Sequence, residues 1–223
     1  SYKSSIKIEP DYAYAHNNLG NIFRELGQLD DAIQSYEKAL IIKPDYVEAL
    51  YSIGITFQHL GQFESMIKHL EEALTFKPDF AEAHNNLGIA YKELGRLDDA
   101  IQSYEKALVI NPDYAEVHNN LGNVLKDLGQ LDDAVQSYEK ALILNPDYPT
   151  LHNNLGSAFK ALGQLDDAVK SYKNALVDNP DYSDSHNNLG VVFFELGQLD
   201  EAVKSYKKAI AINPDYAEAH NNL

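Results

Sequence analysis

The sequence predicts an all-α protein built as an array of antiparallel helix pairs, and three observations carry that expectation. Proline recurs at residues 10, 44, 78, 112, 146, 180 and 214, each followed by Asp and an aromatic residue. Between successive prolines, apolar residues fall three and four apart in two runs, the spacing of one helical face. The first run ends at a glycine, as at Gly95, and the second at the proline, as at Pro112. A fixed period of 34 residues marks a small unit that cannot bury its apolar face alone and is stacked on copies of itself.

Unit 81–114 shows how each element follows. Leu87, Tyr91 and Leu94 form the stripe of a first helix, A, and Gly95-Arg96 forms the turn. Asp98 opens a second helix, B, with Ala100, Ile101, Tyr104, Ala107, Leu108 and Ile110 on one side, and Pro112 stops it. Gly88, inside helix A, costs about 1 kcal/mol against Ala in helix propensity, so it implies a neighbour pressed close to the backbone. Ala100 and Ala107 imply the same on helix B. The frame gives a partial unit at 1–12 (the end of a helix B, with Tyr2 in its core column) and full units at 13–46, 47–80, 81–114, 115–148, 149–182 and 183–216. A partial unit at 217–223 begins another helix A. Open ends of this kind are those expected of a segment of a longer protein. Unit 47–80 diverges, with Leu50 for His, Tyr51-Ser52 for Asn-Asn, Met66 for Ala and Leu70 for Tyr. Met66 should spread the helices or be absorbed by the smaller side chains around it.

The formal charge of −16 is mostly punctuation: 23 of the 34 acidic residues fall where helices are expected to begin, where they oppose the helix dipole. Asp113-Tyr114-Ala115-Glu116 has the spacing of a capping box. The acidic field still disfavours nucleic acid and anionic membrane as partners. The chain has no cysteine, no long apolar stretch and no signal-like start at Ser1–Pro10, so a cytoplasmic setting is expected. No cofactor and no catalytic constellation are expected. The histidine column (His16, His84, His118, His152, His186, His220) puts one imidazole in each unit, and stacked helices lie roughly 10 Å apart, too far to share one metal ion.

The pattern His84-x2-Leu87-Gly88-x2-Tyr91, Ala100-x3-Tyr104, Pro112 resembles the tetratricopeptide repeat, with His in place of its Trp, and recurs over essentially the whole chain. The resemblance implies a right-handed superhelical solenoid whose A helices line a concave groove. It also implies a non-enzymatic scaffold that binds an extended peptide or flexible protein segment. On helix A of unit 81–114, a wheel places Glu82, Asn85, Asn86, Ile89, Lys92 and Glu93 on the groove side.

Two asparagine columns then become candidate peptide contacts. One is Asn17, Asn85, Asn119, Asn153, Asn187 and Asn221; the other is Asn18, Asn86, Asn120, Asn154, Asn188 and Asn222. An amide offers both a donor and an acceptor to a peptide backbone. The second column resembles the asparagine ladder in the tetratricopeptide region of O-linked N-acetylglucosamine transferase; the alternative is that these amides tie adjacent units together. Arg24, Lys92, Lys126 and Lys160 form a basic row, and the off-pattern aromatics Tyr14, Tyr51 and Phe194 are candidate anchors. A carboxylate clamp is not expected, because Tyr14, Glu48, Glu82, Glu116, Thr150 and Asp184 stand where lysine would be needed. Two other readings stay open: a head-to-tail self-assembling array, and the substrate-docking arm of a larger enzyme such as a glycosyltransferase.

Overall fold

The computed structural model describes residues 12–146 and 148–223, which form thirteen α-helices. The expected helix end within 1–12, including Tyr2, lies outside these residues. Two compact units divide between Pro112 and Asp113. The first holds α1 (Ala13–Glu25), α2 (Leu29–Ile42), α3 (Val47–His59), α4 (Phe63–Phe76), α5 (Ala81–Glu93) and α6 (Leu97–Ile110). The second holds α7 (Ala115–Asp127), α8 (Leu131–Leu144), α9 (Pro149–Ala161), α10 (Leu165–Asp178), α11 (Ser183–Glu195), α12 (Leu199–Ile212) and α13 (Ala217–Asn222). No helix of the described residues is long and apolar enough to cross a membrane.

Within each unit every helix packs on the next in sequence, and each odd helix also touches the following odd helix. The even helices do not approach one another in this way. The reason is a residue pair. The ring of Tyr36 lies on Gly20, and Tyr104, Tyr138, Tyr172 and Tyr206 lie in the same way on Gly88, Gly122, Gly156 and Gly190. A Cβ on Gly88 would sit 2.4 Å from the Tyr104 ring. These tyrosines are buried, and Ala32, Ala39, Ala100 and Ala107 beside them have no exposed surface. The divergent unit keeps the glycine, Gly54, but covers it with Leu70, whose side chain stands 3.0 Å from the added Cβ. Met66 is fully buried. Leu70, also fully buried, is smaller than the tyrosine it replaces and yields part of the room that Met66 takes.

The A-to-B turns are closed by glycine in the left-handed region. At Gly95 (φ +72°) the Gly95 N–H donates to Lys92 O at 2.9 Å and the Arg96 N–H to Tyr91 O at 2.8 Å, a Schellman closure. The expected capping box does not form. The turn after Pro112 shifts the helix start by one residue, so Tyr114 is the N-cap of α7 without a side-chain capping bond, and Glu116 is the second helical residue. First-turn carboxylates such as Asp98 and Asp99 in α6 act through the dipole instead.

The two glycine columns separate by experiment. Gly88→Ala drives a Cβ into the Tyr104 ring and costs about 1–3 kcal/mol. Gly95→Ala meets nothing within 4 Å and costs about 1 kcal/mol, from backbone conformation alone. Urea titrations of both variants check this, and Tyr104→Ala should rescue only Gly88→Ala. The buried tyrosines also set an alkaline limit. Burial raises Tyr138 and Tyr172 well above the ordinary phenol range, and burial with the Glu71 carboxylate pushes Tyr91 up to about 12. A phenol raised in the fold contributes stability that is complete below the unfolded value of about 10 and is lost as pH climbs through the folded value. Denaturant midpoints should hold to about pH 9 and then fall, with phenolate absorbance lagging behind that of a denatured reference.

Candidate functional site

The odd helices present their asparagines side by side. The first column, which the wheel placed on the groove side, turns inward: Asn17, Asn85 and Asn187 are only 5%, 2% and 0% exposed, while Asn119 and Asn153 are half-buried. In the second column Asn18, Asn86, Asn120, Asn154 and Asn188 are half-buried, and Asn222, which continues it, is exposed. The columns interlock. Asn154 Nδ2 donates to Asn119 Oδ1 at 3.0 Å, Asn188 Nδ2 to Asn153 Oδ1 at 3.1 Å, and Asn222 Nδ2 to Asn187 Oδ1 at 3.1 Å. Each rung joins a second-column amide to the first-column carbonyl of the preceding odd helix. In the first unit the Tyr51 hydroxyl stands in for that carbonyl and accepts from Asn86 Nδ2 at 2.8 Å.

The divergent repeat breaks the ladder one step earlier. The donor to Asn17 would come from residue 52, which is Ser52 rather than Asn. The Ser52 hydroxyl is engaged with that of Tyr36 instead. Among the described residues Asn17 Oδ1 is buried without a hydrogen-bond partner. A buried carbonyl left in this state carries a desolvation cost that the other rungs avoid.

The anchor candidates fall into two settings. Tyr14 is 47% exposed and packs between Tyr12 and Tyr46, with ring centroids 5.6 and 5.0 Å away. Lys43 Nζ lies 5.5 Å from the Tyr14 ring and 5.0 Å from that of Tyr46. Tyr51 is half-buried against Phe80, 4.8 Å between centroids, and Lys77 Nζ lies 4.5 Å from the Phe80 ring. Phe194, on α11, is 62% exposed. Lys43 and Lys77 are additions to the residues that periodicity marks. Their signal was a departure from register, since the matching places hold Asn111, Asn145, Asn179 and Asn213. Lys92, Lys126 and Lys160 are half-buried, and none is in an ion pair among the described residues. Arg24, Tyr51, Ile55, Gln58 and Asn86, from α1, α3 and α5, line a hollow of about 550 Å³.

The histidines serve structure. His84, His186 and His220 bond through Nε2 to Pro78, Pro180 and Pro214 O at 3.0, 2.9 and 2.8 Å, tying each A helix to the turn before it. Burial lowers the His84 pKa below its ordinary value. Among the described residues no group of His, Asp and Glu has metal-binding geometry.

Ser52→Asn should supply the missing rung and raise stability by about 1 kcal/mol, and the gain should vanish in an Asn17→Ala background. Thermal melts of the four proteins in that cycle check it.

Comparison with known proteins fits this geometry. Residues 7–222 match the family model described as the Cilia and flagella-associated protein 70 C-terminal domain. The crystal structure of MamA is 30% identical over 76% of this chain and 92% of its own, with a TM-score of 0.70. PilW, a widely conserved type IV pilus biogenesis factor, is 23% identical over 94% of this chain and 97% of its own, with a TM-score of 0.82. YrrB, described as a TPR protein with an unusual peptide-binding site, is 21% identical over 99% of this chain and 96% of its own, with a TM-score of 0.56. No curated protein matches the chain. The paired helices, the glycine–tyrosine contacts and a family match over nearly the whole length agree: the chain belongs to the tetratricopeptide-repeat family represented by the cilia and flagella-associated protein 70 C-terminal domain.

Proposed function

We propose that this chain is a protein-interaction scaffold that holds an extended segment of a partner protein along the face of its odd-numbered helices. The observation that carries this reading is the half-buried second asparagine column. Each rung uses one N–H of Asn154 and of Asn188. An amide has a second N–H and a carbonyl besides, the pair that an extended backbone offers in mirror image. The rungs hold those amides in one orientation, so little side-chain entropy remains to be lost on binding. The Tyr14 and Tyr51 clusters, the 550 Å³ hollow and Phe194 would take apolar side chains, and Lys92, Lys126 and Lys160 would take acidic ones. The description of YrrB as a peptide-binding TPR protein supports this use of the fold. Such a scaffold needs no catalytic residue and no cofactor.

Peptides selected on the full chain from a random extended library test the reading. Asn154→Ala/Asn188→Ala should weaken the selected peptides at least tenfold, about 1.4 kcal/mol. Asn153→Ala keeps both second-column amides but frees Asn188 from its rung, so it should weaken binding by less than the double variant does. Failure to select any peptide, or equal binding by the double variant, overturns the proposal.

A further inference from the structure

The opposite side of the helix pairs carries a second kind of surface. Because even helices within a unit stay farther apart than the odd ones, the gap between them is floored by the odd helix beneath. Two such gaps hold the same register in the two units. Between α4 and α6 the floor is His84, Leu87 and Tyr91, and the gap holds two adjoining hollows of about 310 and 560 Å³ that share His84, Gln102 and Lys106. Between α10 and α12 the floor is His186, Leu189 and Phe193, with Leu176 on the wall, and the hollow measures about 670 Å³.

The two differ in what closes them. In the first, the Tyr91 hydroxyl donates to Glu71 Oε1 at 2.8 Å, joining floor to wall. Arg96 lies over the Tyr91 ring at 4.5 Å and pairs with Asp99 at 2.8 Å. That groove is strapped by its own polar network. In the second, phenylalanine at 193 has no hydroxyl to donate, and Lys173 stands where Glu71 stood, its ammonium 5.7 Å from the Phe193 ring. Gln102, Glu105 and Lys106 of the first groove correspond to Lys204, Lys207 and Lys208 of the second. Glu201 is the acid on this rim and pairs with Lys204 at 3.6 Å, leaving the rim net positive on a chain of formal charge −16. A basic rim around an apolar floor, inside an acidic molecule, selects its ligand by charge and anchors it by burial.

We propose that the α10–α12 groove is a docking site for a short acidic segment of a partner protein. The segment inserts a Leu or Phe side chain onto Leu176, Leu189 and Phe193, while its carboxylates meet Lys173, Lys204, Lys207 and Lys208. The strapped α4–α6 groove does not take such a segment. This site is separate from the asparagine face and does not depend on it.

The test uses the full chain and a fluorescein-labelled nonapeptide, Glu-Asp-Glu-Leu-Phe-Asp-Glu-Leu-Asp, followed by fluorescence anisotropy. Binding should saturate with a dissociation constant below about 1 mM, weaken with added salt, and be absent for the peptide with lysine at every acidic place. Lys204→Glu/Lys208→Glu, at exposed positions, should weaken it at least tenfold with an unchanged melting curve. Lys173→Glu/Phe193→Tyr, which rebuilds the strap, should do the same. Four results overturn the proposal: no binding; equal binding by both variants; loss of binding in Asn154→Ala/Asn188→Ala instead; or sedimentation showing self-association abolished by Lys204→Glu/Lys208→Glu, which would make a second copy the occupant.

Discussion

A tyrosine ring resting on a glycine is the contact on which the other features rest. It allows helix B to approach the backbone of helix A within its own repeat, at the distance of a ring thickness, and the buried alanines of helix B leave room for the following helix A to pack on it. Consecutive odd helices are thereby brought close enough for amide side chains to meet at 3.0–3.1 Å. The even helices, carrying the bulky rings, stay apart and leave grooves over the odd helix beneath. Both candidate binding surfaces are consequences of that one asymmetry in side-chain size.

Much of this was legible because periodicity exposes departures. Gly88 in mid-helix was evidence of close approach before any coordinate, since nothing else justifies its propensity cost. Proline and the aromatic after Pro-Asp placed the helix ends to within a residue. The capping box failed by one position, because a turn after proline moves the start of the helix without leaving a mark in spacing. The asparagine columns were half legible. Their recurrence marked them as purposeful, but a wheel assigns direction by angle alone. It cannot show that the first column points sideways, into the seam with the next odd helix.

The lysine-rimmed groove was hidden for a different reason. Positions 71, 102 and 105 and their counterparts 173, 204 and 207 lie on separate helices, and the sequence gives no warning that each set lines one hollow. Phenylalanine is the usual residue of the Phe193 column (Phe23, Phe57, Phe159) and Tyr91 the departure, so the reversal of charge at 173 is the hint, and it looks like ordinary drift until the strap is seen. The aromatic–lysine clusters around Tyr14 and Phe80 were missed similarly, since Lys43 and Lys77 sit beside the prolines and pass for solvated loop charge.

The orphaned carbonyl of Asn17 has a consequence for how the array comes apart. A stack of repeats resembles a row of links, each held only by its neighbours, and its cooperativity is set by the weakest coupling between them. The missing rung softens the link between α1 and α3 while the later rungs stay intact. Opening of the first unit is therefore expected to begin there, with the α1–α2 pair separating before the remainder. The same serine that spoils a hydrogen bond thus gives the first unit a polarity, with a yielding seam at its α1–α3 end.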